Sequence, residues 1–133
     1  MCAEMVTAMD ISAGRMEQAL RRFAVALANG APDTAAECFT EEAIYEEPPR
    51  FRFEGREAIR AFLRDFAERH NRARFTVLRT VAAPERQLLA AEWEWRYVSA
   101  SDGKEHAFAG MSFITLEGER IATWRGFSAA VTP

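Results

Sequence analysis

Tyr45 and Glu47, in the run Ala43-Ile44-Tyr45-Glu46-Glu47, put a phenol and a carboxylate two residues apart. Side chains alternate along an extended strand, so Ala43, Tyr45 and Glu47 share one face while Ile44 and Glu46 share the other. Pro48-Pro49 stops the strand, because the first proline cannot donate to a ladder and restricts the residue before it. A carboxylate becomes a useful general base near neutral pH when apolar walls desolvate it and raise its pKa. A tyrosine on the same face can supply a proton donor. Other reactive groups are sparse. His70 and His106 are far apart and the carboxylates are dispersed, so no metal-ligand set is expected. Cys2 and Cys38 have no metal or redox spacing and read as free thiols. Neither a nucleophile elbow, a phosphate loop nor a dinucleotide fingerprint is present, and no cofactor is expected.

The second group with possible chemistry is aromatic. Trp93, Trp95 and Tyr97 occupy every second position, separated by Glu94 and Arg96. That period marks a strand with one buried face. Together with Trp124 the two tryptophans form a candidate clamp for a planar apolar molecule, beyond what core filling requires.

The elements that must position these groups follow from periodicity. Strand-like runs from Leu88 to Val98, His106 to Leu116 and Arg120 to Ser128 are joined by short loops and read as an antiparallel meander. Upstream, Met16, Leu20, Phe23 and Leu27 define the apolar stripe of a helix from about Ser12 to Asn29, capped by Ser12 and ended by Gly30. Pro32-Asp33 opens a shorter helix through Phe39. Arg50 to Glu54 is a second short extended piece. A third helix runs from Gly55 to about His70, with Ile59, Phe62, Leu63 and Phe66 inward. His70, at its end, suits the helix dipole. Arg74 to Ala82 reads as a strand with Phe75, Val77 and Val81 cofacial. Helices segregated from a meander predict an α+β domain with the helices on one face of the sheet. The expected organisation is one domain over residues 12–133, after a flexible stretch over residues 1–11.

The bulk properties narrow the function classes. The 133 residues are enough for one full core, and the formal net charge of -3 gives no basic footprint for nucleic acid. No apolar run can span a bilayer and no basic leader precedes one, so a cytoplasmic protein without membrane association is expected.

Three stretches carry a family resemblance: Arg22 to Leu27 with Gly30 and Asp33; Cys38-Phe39-Thr40-Glu41-Glu42-Ala43-Ile44-Tyr45-Glu46-Glu47-Pro48; and Phe53 to Phe62. With Gly118 before Ile121 and Trp124, they resemble the nuclear transport factor 2-like superfamily, in its SnoaL-like branch of polyketide cyclase and ketosteroid isomerase relatives. The resemblance covers about Ser12 to Ser128. It implies a cone in which a strongly curved, antiparallel or mixed sheet wraps the helices and leaves an apolar pocket at one end. The pocket would be lined by Phe23, Leu27, Phe62, Phe66, Trp93, Trp95, Tyr97, Met111, Phe113 and Trp124. It would place Phe108, Ile114, Ile121 and Phe127 on the convex face, in a homodimer contact, with His106 and Arg125 pointing the same way.

The ketosteroid-isomerase branch carries its base in a string like Val-Glu-Asp-Pro, which Tyr45-Glu46-Glu47-Pro48 matches, so the resemblance puts Glu47 at the base position. The chain departs from that branch at the oxyanion hole, where Phe23 matches the tyrosine and Met111 the aspartate. It also has no aspartate after Asp102 for the cyclase route. The resemblance therefore implies a small-molecule pocket with Glu47 as base and Tyr45 as donor, performing isomerase, cyclase or hydrolase chemistry on a small hydrophobic substrate. A non-catalytic ligand-binding protein and a homodimeric association module are the alternatives.

Overall fold

The computed structural model describes residues 10–133. Cys2 and most of the stretch expected to be flexible lie outside the described residues. Ile11, at its end, is buried and exchanges two 2.9 Å hydrogen bonds with the Gln87 side chain.

Among the described residues three α-helices and six strands follow in the order α1 (Ala13–Ala28), α2 (Pro32–Glu37), β1 (Phe39–Glu47), β2 (Phe51–Glu54), α3 (Arg56–Arg69), β3 (His70–Ala83), β4 (Leu88–Ser99), β5 (Glu105–Glu117) and β6 (Arg120–Val131), with a 3-10 turn at Pro84–Arg86 between β3 and β4. Ser12 caps α1 by accepting from the Arg15 N–H, and the stripe Met16, Ala19, Leu20 and Phe23 is fully buried. Proline in its first turn starts α2. Gly55, at φ 92°, makes the turn into α3 that a side chain would strain. Arg60, on α3, bridges to Glu37 and Asp33 and ties α3 to α2.

The strands form one mixed sheet in the order β2-β1-β6-β5-β4-β3. All neighbours are antiparallel except β1 and β6, which run parallel. The sheet curves around the helices as an α+β cone, bent by register shifts in β1, β3 and β6. Phe23, Phe39, Ile59, Leu89, Ile114, Ile121 and Trp124 fill the layer between sheet and helices.

Several boundaries differ from the sequence reading. The second helix stops at Glu37, and Phe39 already opens β1 with a fully buried ring. His70 begins β3 instead of ending α3. Between Val77 and Arg79 the register shifts by one, so Val81 does not follow Phe75 and Val77 inward but is 70% exposed.

The largest difference is the parity of β5. Trp93 faces Gly110, Trp95 faces Phe108 and Ala91 faces Ser112 across the β4–β5 ladder. Directly opposed residues share a face, so Phe108, Gly110, Ser112 and Ile114 point inward, while Met111 and Phe113 point out and are 60% and 59% exposed. The physical reason is Trp93. A Cβ at position 110 would stand 2.4 Å from the indole, and the indole Nε1 donates to Ser112 Oγ at 2.9 Å. Only this register gives the ring its space and its nitrogen a buried acceptor.

Candidate functional site

Between the inner face of the sheet and helices α1 and α3 lies a cavity of about 170 Å³. Its apolar wall is built from every layer of the fold. Leu27 comes from α1; Phe62, Leu63 and Phe66 from α3; Phe51 and Phe75 from β2 and β3. Trp93, Trp95 and Tyr97 come from β4, with Phe108 and Trp124 from β5 and β6. The rings pack stacked or tilted, as in Phe75 against Trp93 at 5.2 Å between centroids and Phe66 against Trp95 at 5.3 Å. The volume is small beside the roughly 300–1,000 Å³ of drug-sized sites. A compact molecule, or one compact portion of a larger one, fits.

The polar groups of the wall gather at one place. Glu47, Tyr45, Arg50 and Ser128 line the cavity, and Glu47 is its only carboxylate among the described residues. β1 lies between β2 and β6, and its alternation turns Ala43, Tyr45 and Glu47 inward, leaving the Glu47 residue 7% exposed. Ser128, on β6, donates its hydroxyl hydrogen bond to Glu47 Oε1, and the Arg50 guanidinium pairs with the same oxygen. Arg50 also donates to Ser128 Oγ. The carboxylate is thus held by two partners from separate segments, a turn and a distant strand. The Arg50 guanidinium lies over the Phe108 ring, 5.4 Å from its centroid.

Tyr45 shows the other half of the chemistry. Its ring packs against Phe23, Phe39, Phe51, Phe62 and Trp124. Burial pushes its hydroxyl pKa well above the ordinary tyrosine value, so the group is a donor across the accessible pH range. It has no hydrogen-bond partner among the described residues. Burial raises the Tyr97 pKa as well.

Of the residues expected in the pocket, Leu27, Phe62, Phe66, Trp93, Trp95, Tyr97 and Trp124 stand in the cavity wall. Phe23 does not. It is fully buried one layer behind, touching Phe39, Tyr45, Phe75 and Trp124. Met111 and Phe113 are on the outer face by the β5 parity. The expected convex set changes for the same reason. Phe108 lines the cavity and Ile114 and Ile121 are fully buried core, which leaves Phe127, 50% exposed, as the one member that faces out.

His106 also turns inward, where its ring stacks on Tyr97 at 5.2 Å. His70 lies against Phe66 and Tyr97, with Nδ1 3.0 Å from the Phe66 carbonyl oxygen. Sequence reasoning missed Arg50, Phe51, Leu63, Phe75, Phe108 and Ser128. A signal existed for Phe108, because a glycine two residues on, at 110, is the natural seat for a tryptophan. None existed for Ser128, whose approach to Glu47 depends on the parallel β1–β6 pairing, whereas Arg50 reaches Glu47 locally, three residues on across the Pro48-Pro49 turn.

Among the described residues no group of three or more His, Cys, Asp or Glu side chains could hold a metal ion, and no helix is long and apolar enough to cross a membrane. The SnoaL-like domain family matches residues 20–124, most of the chain. The protein belongs to that family. Its fold places the SnoaL-like domain in the nuclear transport factor 2-like superfamily that the sequence resembles.

Solved structures of the same fold are similar to it at low identity. A putative isomerase from Bacillus subtilis is 20% identical, with 87% of each chain covered and a TM-score of 0.79. An epoxide hydrolase of the LEH-like type from M. tuberculosis is 19% identical over 87% of this chain and 84% of that one, at 0.77. The epoxide hydrolase/cyclase-like enzyme SalBIII, of pyran ring formation in the polyether salinomycin, is 18% identical over 87% and 92%, at 0.77. No curated protein matches the chain.

Proposed function

We propose that this SnoaL-like domain is a cofactor-independent acid/base enzyme acting on a compact, largely apolar molecule. Glu47 is the base, and Tyr45 is the proton donor or oxyanion partner. The observation that carries the reading is the placement of one carboxylate, held by Ser128 and Arg50, in a wall otherwise made mostly of aromatic rings. Ser128 orients a carboxylate oxygen that Arg50 shares, and an oriented base is worth more than a mobile one. The free Tyr45 hydroxyl meets the need for a donor that Phe23, lacking an oxygen, leaves unfilled. Isomerase, epoxide hydrolase and cyclase descriptions among structures of the same fold are in keeping with proton abstraction or water activation.

The test is turnover of a panel of compact epoxides and cyclic ketones by the native protein and by Glu47→Gln. Loss of roughly 10²–10⁴ in rate is expected for a general base. Retention of the rate by Glu47→Gln contradicts the assignment. A second reading, a protein that holds its ligand without turning it over, is favoured by the engagement of Glu47 with Arg50 and Ser128. Ligand-induced change in tryptophan fluorescence with no turnover would support it.

The same proposal extends to a homodimer in the cytoplasm, without nucleic-acid or membrane partners. The outer face presents Met111 directly opposite Phe127, with Phe113 beside them. Glu92, Arg96 and Arg125 lie on the same outer surface, so a two-fold can pair unlike charges around the apolar centre.

A further inference from the structure

The two charges that line the cavity are unequal in a way that selects a ligand charge. Glu47 is fixed: it sits on an inner strand, is 7% exposed and is held by Ser128. Arg50 is not. It projects from the turn after β1, and its side chain is 48% exposed. A guanidinium on a long exposed stem can leave for water at little cost, whereas the carboxylate cannot follow it. Once Arg50 swings out, the cavity is an aromatic box around one buried negative charge.

An anionic ligand would sit against that carboxylate and be repelled. A neutral apolar ligand would leave its charge uncompensated, with the Ser128 hydroxyl as its one remaining partner, which is costly away from water. A compact cation meets both demands. Ring faces attract a cation within about 6 Å of their centroids, most strongly when water is excluded. Arg50 already demonstrates the interaction, since its guanidinium is 5.4 Å from the Phe108 centroid. The side chains of the wall offer few acceptors beyond Glu47, so a strongly hydrated primary ammonium would arrive with more donors than partners. An alkylated ammonium spreads its charge over methyl and methylene groups that contact the rings and need no acceptor.

We propose that the cavity binds a compact alkylammonium ion, with Glu47 as its counter-ion, the aromatic wall as its cage, and Arg50 as the internal cation it displaces. The inference rests on this cavity being the functional site, and not on Glu47 acting as a base.

The probe is tetramethylammonium chloride, compared with 2-methyl-2-propanol as a neutral shape match and pivalate as an anionic one. Calorimetry and the fluorescence of Trp93, Trp95 and Trp124 follow binding. Tetramethylammonium is expected to bind at least tenfold more tightly than either comparison compound. Glu47→Gln should abolish that preference, and Arg50→Ala should tighten tetramethylammonium binding several-fold by removing the competitor.

Pivalate or the alcohol binding as well as the cation overturns the proposal. So does weaker cation binding in Arg50→Ala with its native fold verified by circular dichroism, and so does the absence of cation binding in the native protein. If Glu47→Gln loses turnover while no cation binds, the base assignment survives and this inference alone falls.

Discussion

Glu47, Ser128 and Arg50 form a closed triangle: hydroxyl to carboxylate, guanidinium to the same carboxylate, and guanidinium to hydroxyl. Tyr45 and Glu47 were legible as a cofacial pair because their spacing within one strand fixes their common face. Ser128, 81 positions from Glu47, was not, because no local pattern reports a parallel strand pairing. At this scale the account predicts that Tyr45→Phe lowers any turnover by roughly ten- to a thousandfold, as expected for losing one transition-state donor, with substrate affinity changed far less. Equal kcat in Tyr45→Phe and the native protein would remove Tyr45 from the mechanism. Gly110 gives a second residue-scale test. Adding a Cβ 2.4 Å from the Trp93 ring must move the indole or the strand. Gly110→Ala should cost about 1–3 kcal/mol, the usual range for overpacking, read as a lower urea midpoint. An unchanged midpoint would contradict the account of why β5 adopts its register.

The elements themselves were readable and their faces only partly so. Helices α1 and α3 and the three strands of the meander follow from periodicity, since each buries one stripe or one face. The β5 face was inverted because a one-residue slip exchanges every side chain between the two faces of the sheet, and apolar residues stand on both. The β3 bulge did the same to Val81. Strand β1 also carries a test of its outward side. Glu46 is buried there between Arg52 and Arg125. The hydrogen bond from Arg52 first, then that from Arg125, holds its pKa below the ordinary glutamate value of 4.5. A depressed carboxylate pKa stabilises the fold fully above the ordinary value, and the contribution is lost as the pH falls through the folded-state value. The native protein should therefore lose stability on acidification below about pH 4.5 more steeply than Glu46→Gln does. Parallel pH profiles of the urea midpoint would show that Glu46 contributes nothing to the acid response.

At the scale of the whole molecule, the cone separates two surfaces with different composition. The inner one is a nearly continuous aromatic lining around Glu47; the outer one exposes Met111, Phe113 and Phe127. Sedimentation at increasing concentration should give a dimer mass that Met111→Glu converts to a monomer, with the cavity and its ligand response intact. A monomer at every concentration would refute association through this face. The α+β cone was legible in the sequence because the family motifs and the strand periods agree. The reaction was less legible, because it depends on which side chains converge across six strands.

The most direct test of Glu47 as the catalytic base is proton NMR in deuterium oxide with compact cyclic ketones and epoxides, comparing the native protein with Glu47→Gln. It reads proton abstraction as deuterium entering the ketone α position and water activation as epoxide opening. The account predicts that the native protein accelerates at least one of these and that Glu47→Gln loses roughly a hundredfold or more of that acceleration. Equal rates for the two proteins would contradict it.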